Sequence, residues 1–260
     1  MSIIETSGEC ALAFFRRDVC RYYGEVVALE RDMPPIPRKL LTTTVNPSLF
    51  MMVEDYPHGR VAVVCGYEEA FARDCLAWLR GASAKYTLAA FDERVIGLAR
   101  AENVVGPLRR SRSFVCTSVD GVPALSVAAT KLTPADGDAF GRYPVVPSRT
   151  RPPLPRLFRD LVLNHGGEIM AIREGVEIVA WLSCMKELEN IWDVDFIHVR
   201  PERRNCGLGT QVAAAYARDK LLAGDIPYYS GVANNEASER AALKAGFVCC
   251  RELFSAEVTE

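Results

Sequence analysis

An apolar run over 191–199 leads into Arg200-Pro201-Glu202-Arg203-Arg204-Asn205-Cys206-Gly207-Leu208-Gly209-Thr210 and then into a helical pattern. Arg-x-x-Gly-x-Gly at the start of a helix is chemistry for an anion. Glycines let the backbone approach closely, and the first helical turn holds N–H groups without intrahelical partners. Arg204, with Arg203 beside it, adds positive charge. The spacing therefore predicts a pyrophosphate cradle, with a tight glycine turn before a surface helix as the competing reading. No Gly-Lys-Ser/Thr follows, which excludes a Walker loop. The glycines are too few, and the acid of a second parallel strand is missing, for a dinucleotide fingerprint. Just upstream, alternation on a regular strand puts Asp193, Asp195, Ile197 and Val199 on one face and His198 on the other.

The elements that must position these residues read as follows. Helical faces over 10–15 and 19–29 end at Pro34-Pro35-Ile36-Pro37. Strands at 49–53 and 61–65, a helix over 68–80 closed by Gly81 and a strand at 86–91 make an α/β unit. Arg109, Arg110 and Arg112 read as a solvated linker, and Asp120-Gly121-Val122-Pro123 as a turn. A domain boundary is placed there, giving 1–120 and 121–260. The second part predicts a strand at 124–131 and a helix starting at Thr133-Pro134. A proline-rich loop follows over 141–155, then helical spacing over 156–164. Strands at 168–173, 177–184 and 191–199 come next. The chain closes with a helix over 207–222, a strand at 228–232, a helix over 236–245 and a strand at 247–254. No internal repeat is visible in the residues.

In this order of elements the sequence resembles the GNAT superfamily of acyl-CoA-dependent N-acyltransferases over about 124–260. Arg204-x-x-Gly207-x-Gly209 matches that family's phosphate motif. Asn235-Glu236-Ala237-Ser238 followed by Lys244-Ala245-Gly246-Phe247 matches its second motif. The resemblance implies a mixed, mostly antiparallel sheet flanked by helices, an α/β fold of the α+β type. It also implies acetyl-CoA as acyl donor, with no metal. Backbone groups of Ile197, His198 and Val199 would meet the pantetheine amides. The amides of Arg204, Asn205, Cys206, Gly207, Leu208, Gly209 and Thr210 would hold the pyrophosphate. Asn234 or Asn235, with Ser238, would contact the far end of the arm. Asp193 and Asp195 fall where the family places a general base for the attacking amine. The family's tyrosine acid is replaced by Ala242, so either Tyr228 or Tyr229 serves, or the thiolate leaves with solvent help, or catalysis is impaired; packing at a half-buried strand is the favoured reading of both tyrosines. Residues 1–120 are compatible with a degenerate copy of the same fold, or with a cap that shapes the acceptor site or a dimer interface.

Charge placement bears on the acceptor. Glu168, Glu174, Glu177, Glu187, Glu189, Asp193 and Asp195 face only Arg173 and Lys186 in that stretch, while 200–204 is basic. A cationic small-molecule or peptidyl amine suits such a site, and a solvated hairpin explains the same charges. A homodimer stays open. The other classes kept are an acyl-CoA-binding module or pseudoenzyme and a nucleotide-binding protein.

Composition bounds these readings. The 260 residues carry a net charge of −2 with 49% hydrophobic content, which argues for a packed core and against a dedicated nucleic-acid binder. No apolar run is long enough to span a bilayer, and no export signal opens the chain. Nine cysteines without C-x-x-C and only three histidines argue against a zinc site and for reduced thiols in a cytoplasm.

Overall fold

The computed structural model describes residues 3–30, 36–46, 48–56, 59–81, 86–101, 106–144, 165–231 and 234–258. The expected helix at 156–164 and most of the loop at 141–155 lie outside these residues. The chain forms two compact units, Met1–Arg112 with Arg251–Glu260, and Ser113–Cys250. The expected single boundary near 120 differs from this division mainly at the end of the chain, because the final strand belongs to the first unit.

In the first unit β1 (Ile3–Glu5), β2 (Arg38–Thr43), β3 (Phe50–Tyr56) and β4 (Gly59–Cys65) pair antiparallel in sequence order. β5 (Tyr86–Ala90) then runs parallel to β4. Residues 254–258 of β12 (Val248–Val258) close the sheet antiparallel to β5. Between β4 and β5 lies α1's counterpart on the other face: the helices in chain order are α1 (Gly8–Phe15), α2 (Tyr23–Glu30), α3 (Glu69–Arg80) and α4 (Glu93–Ala101). Phe71, Ala72, Cys75, Leu76 and Leu79 recur at helical spacing on α3 and are buried against Met51, Val53, Ala62, Val64 and Leu88 of the sheet. Alternation turns Phe50 to the opposite face, where its ring lies 4.8 Å from Phe14 and 5.5 Å from Phe15 of α1. Here Glu25 of α2 is 2% exposed and bonds Arg251 of β12 at 2.9 Å.

The second unit repeats this order. β7 (Ala129–Lys131), β8 (Glu168–Glu174), β9 (Glu177–Leu188) and β10 (Ile191–Val199) pair antiparallel. β11 (Ile226–Ser230) runs parallel to β10. The closing antiparallel strand is residues 113–115 of β6 (Arg109–Val115). α5 (Gly137–Gly141) covers one face, with Phe140 edge-on to Trp181 at 5.1 Å. α6 (Leu208–Leu222) and α7 (Glu236–Lys244) cover the other. α6 buries Val212, Ala213, Ala214, Tyr216 and Ala217 and stops before Gly224, whose φ of 80° suits a left-handed helix end.

The sequence expectations differ from the structure in several places: β1, β2 and α4 were not anticipated. Residues 124–128 are not strand, and β7 begins only at Ala129. Arg109, Arg110 and Arg112 are not a solvated linker. They lie in β6, where Arg109 pairs with Glu257 at 3.0 Å and Arg112 with Glu252 at 2.9 Å, on a strand that hydropathy alone leaves unmarked.

Candidate active site

β10 and β11 pair only at Ile191↔Ile226, Trp192↔Pro227 and Asp193↔Tyr228, and then part. Residues 194–199 of β10 continue without β11 beside them. A cleft of about 700 Å³ opens between the end of β10, the turn that follows it, the first turn of α6 and one side of α7. The first unit offers an internal contrast. There the β4–β5 ladder runs from Arg60↔Tyr86 to Val64↔Ala90, and Phe91 N–H still reaches the Val64 carbonyl at 3.2 Å.

The turn is shaped by two left-handed residues, Asn205 (φ 63°) and Gly207 (φ 78°), the second being the N-cap of α6. Leu208, Gly209 and Thr210 therefore begin a helix whose first N–H groups have no intrahelical acceptor, and all three line the cleft. A Cβ on Gly209 would sit 3.7 Å from Val199 and 3.9 Å from Ile197, both cleft residues. The arginines divide. Arg200 donates to the Ile178 carbonyl and to Glu177 at 2.8 Å, and Arg203 is paired with Glu174. Arg204 bonds only the Val199 carbonyl (3.4 Å) and, among the described residues, forms no ion pair. On α7, Arg240 pairs with Glu236 at 3.0 Å, while Lys244 enters the cleft uncompensated. An anion in this cleft thus meets helical N–H groups and the free charges of Arg204 and Lys244. These residues fit a pyrophosphate-bearing donor.

Of the residues expected at the cofactor, Ile197, His198, Val199, Arg204, Asn205, Gly207 and Gly209 line the cleft, as do Asn235 and Ser238. Asn235 also caps α7 by accepting the Ser238 N–H at 3.2 Å. Cys206 and Asn234 are exposed but do not form its wall, and the Cys206 thiol donates to the Arg204 carbonyl at 3.6 Å. Arg240 and Ala241 belong to the wall without having been singled out, and Lys244, quoted only as part of the second motif, belongs to it as well. Helical spacing from Ala237, itself in the wall, reaches all three.

The expected face alternation fails at one residue. Val194 pairs with Cys184 and Phe196 with Ser183, so Asp195 is the extra residue of a β-bulge. Side chains beyond it change face. Ile197 and Val199 pack on the α6 side, as do Trp192 and Val194. His198 is opposite Trp181, and Asp193 opposite Met185, on the other face. His198 thus shares a face with Asp193 rather than pointing away from it. Its ring lies against Trp181, and its Nδ1 is 2.9 Å from the Tyr143 hydroxyl.

Asp193 accepts the Ser230 N–H at 3.1 Å and the Ser230 O–H at 2.6 Å. Burial is the largest cause of a pKa raised to about 6, opposed by those two bonds. Asp195 is open to solvent on one side and has no hydrogen bond among the described residues. Partial burial first, then the charges of Asp193 and Glu187, lift it to about 7. Tyr229 is buried between Phe114 and Phe247, and burial raises its pKa. Its hydroxyl is 2.9 Å from Ser238 Oγ, so it touches the cleft only through that serine. Tyr228 is fully buried, and so is Ala242, in the core of this unit.

Residues 137–247 match the sequence model of the acetyltransferase (GNAT) family. No curated protein is significantly similar in sequence. Among solved structures, a GCN5-related N-acetyltransferase from Sphaerobacter thermophilus superposes with a TM-score of 0.64 at 12% identity, covering 100% of this chain and 95% of that one. An acetyltransferase from the GNAT family of Colwellia psychrerythraea gives 0.61 at 13% identity and covers all of both chains. A tandem GNAT protein from the clavulanic acid biosynthesis pathway gives 0.52 at 11% identity, covering 100% and 98%. At these identities the likeness is one of fold, and it extends over both units.

Proposed function

We propose that this chain, whose residues 137–247 match the acetyltransferase (GNAT) family, transfers an acetyl group from acetyl-CoA to a primary amine by direct attack. The observation that carries the reading is the parting of β10 and β11 over a cleft with a helix N-terminus and two uncompensated cations at one end. Acetyl-CoA supplies a thioester carbonyl when bound. The unpaired edge of β10 at Ile197–Val199 offers main-chain groups to the pantetheine amides, and Leu208–Thr210 with Arg204 and Lys244 hold the pyrophosphate.

An amine reaches the site as an ammonium and must lose a proton before it attacks. A carboxylate with a pKa near 7 is half ionised at neutral pH and is matched to that task. Asp193, Asp195 and Glu187 do not line the cleft; they lie at and just before the bulge of β10, N-terminal to its Ile197 wall, and their mutual charge favours a cationic acceptor there. The nitrogen–carbon bond forms as the carbon–sulfur bond breaks. One proton passes from the ammonium to the carboxylate, and the second leaves the nitrogen as the thiolate becomes a thiol.

The alternative of an acyl-CoA-binding module is favoured by one observation. The position that would carry a hydroxyl acid is Ala242, buried in the core, and the Tyr229 hydroxyl is engaged with Ser238. Thiol release from acetyl-CoA across a panel of polyamines, aminoglycosides, amino acids and basic peptides separates the two. Acceptor-dependent release supports transfer. Tight acetyl-CoA binding with no release on any acceptor supports the binding module.

A further inference from the structure

We infer that the two aspartates of β10 have different tasks: Asp193 is the strut that ends the β10–β11 ladder and holds the cleft open, and Asp195 is the base. The second half rests on the acyl-transfer reading, and the first does not. The ladder stops at Asp193↔Tyr228. Two residues further on, the Ser230 N–H is taken by the carboxylate of Asp193 instead of by the main chain of β10. The Ser230 hydroxyl binds the other carboxylate oxygen. A side chain has replaced the backbone as partner, so β11 remains satisfied while the β10 main chain moves away. The bulge at Asp195 comes immediately after and supplies the extra length for the departure. In the first unit the β4–β5 ladder has a regular register, and those strands stay together to the end of β5.

This arrangement occupies Asp193. Both of its oxygens hold donors from Ser230, and it is largely buried. Asp195 is open to solvent and free of such bonds. The charged and titratable groups facing the pair are Glu187 and Cys184 of β9, with neutral Ser230 from β11. The cations of neighbouring elements are engaged elsewhere, Lys186 with Asp225 and Lys220 with Glu168. The charge on Asp193 therefore acts on Asp195 uncancelled and raises its basicity, which makes Asp193 a positioning residue.

Two measurements test this on the full-length protein. Calorimetry with acetyl-CoA reads the strut: Ser230→Ala and Asp193→Ala are expected to weaken binding tenfold or more, and Asp195→Asn to leave it within twofold. Wild-type affinity in folded Ser230→Ala would overturn the strut. The pH dependence of kcat/KM with the best acceptor reads the base. Asp195→Asn should lose the acidic limb and at least a hundredfold in kcat. Asp193→Asn, which keeps one acceptor oxygen, should keep the limb and move it to lower pH. Loss of the limb in Asp193→Asn with its retention in Asp195→Asn would reverse the assignment. If the wild type acetylates no amine, the base assignment falls with the transfer reading, and the calorimetric arm still decides the strut.

Discussion

Replacing Gly209 by alanine should push stability and cofactor affinity in opposite directions. Gly209 is the second residue of α6, and its φ lies outside the left-handed region. A Cβ there would meet Val199 at 3.7 Å and Ile197 at 3.9 Å, ordinary contact distances that demand no movement of the protein. Alanine is favoured over glycine in a helix by up to about 1 kcal/mol. The variant should therefore melt at the same temperature or up to about 4 °C higher. The new methyl, however, projects toward two residues of the cleft wall, where the donor's arm would lie. Forcing one extra methyl into a fitted site costs about 1–3 kcal/mol, or about 5- to 150-fold in affinity. Titration calorimetry with acetyl-CoA and a thermal melt on the same sample read the two effects. Unchanged affinity in a folded Gly209→Ala would refute the placement of the donor. The control is Gly207→Ala, where φ is 78°: here the left-handed backbone should lower stability by about 1 kcal/mol.

Three further outcomes are expected. Calorimetry should give one acetyl-CoA per chain, because the β4–β5 strands stay paired and α3 opens on Glu68 and Glu69, which repel phosphate; a stoichiometry near two would contradict this. Arg251→Ala should destabilise by about 3–5 kcal/mol in denaturant unfolding, since it leaves the Glu25 carboxylate buried and unpaired, and a change below about 1 kcal/mol would show the pair to be dispensable. Asp195→Asn should be more stable than wild type at pH 8 and equal to it at pH 4. The folded-state pKa of about 7 lies above the unfolded value, so the native state's proton-linked advantage is full at low pH and is lost as pH rises through 7; parallel melting curves across that range would contradict the raised pKa.

What was legible in the sequence was local. Gly207 and Gly209, Arg204 and the Asn235 cap announce themselves because backbone conformation, charge and capping act within a few residues. The elements around them were found for the same reason. The faces of β10 were not, because alternation assumes a period of two and a single inserted residue reverses it. Asp195 looks like any strand residue until its cross-strand partners are known. Ser230 carries no signal of its own, since its meaning comes from Asp193 on a strand distant in sequence. The repeated strand order was open only as one of two readings of residues 1–120, because it is kept in the path of the chain and not in its residues. The glycines and arginines of the second unit's turn have no counterpart at Cys65-Gly66-Tyr67-Glu68.

The late return of β12 to the first unit has a consequence for synthesis. β6 follows α4 yet pairs with β11, and β12 follows α7 yet pairs with β5. The first unit is therefore not a contiguous stretch of polypeptide: Met1–Arg112 is completed by Arg251–Glu260. During translation, β5 must wait with one edge bare until nearly the whole chain has left the ribosome, and a bare edge is a template for wrong partners. Cutting the gene between the two repeats would make that wait permanent: the first fragment would lack the strand that closes its sheet, and the second would carry it.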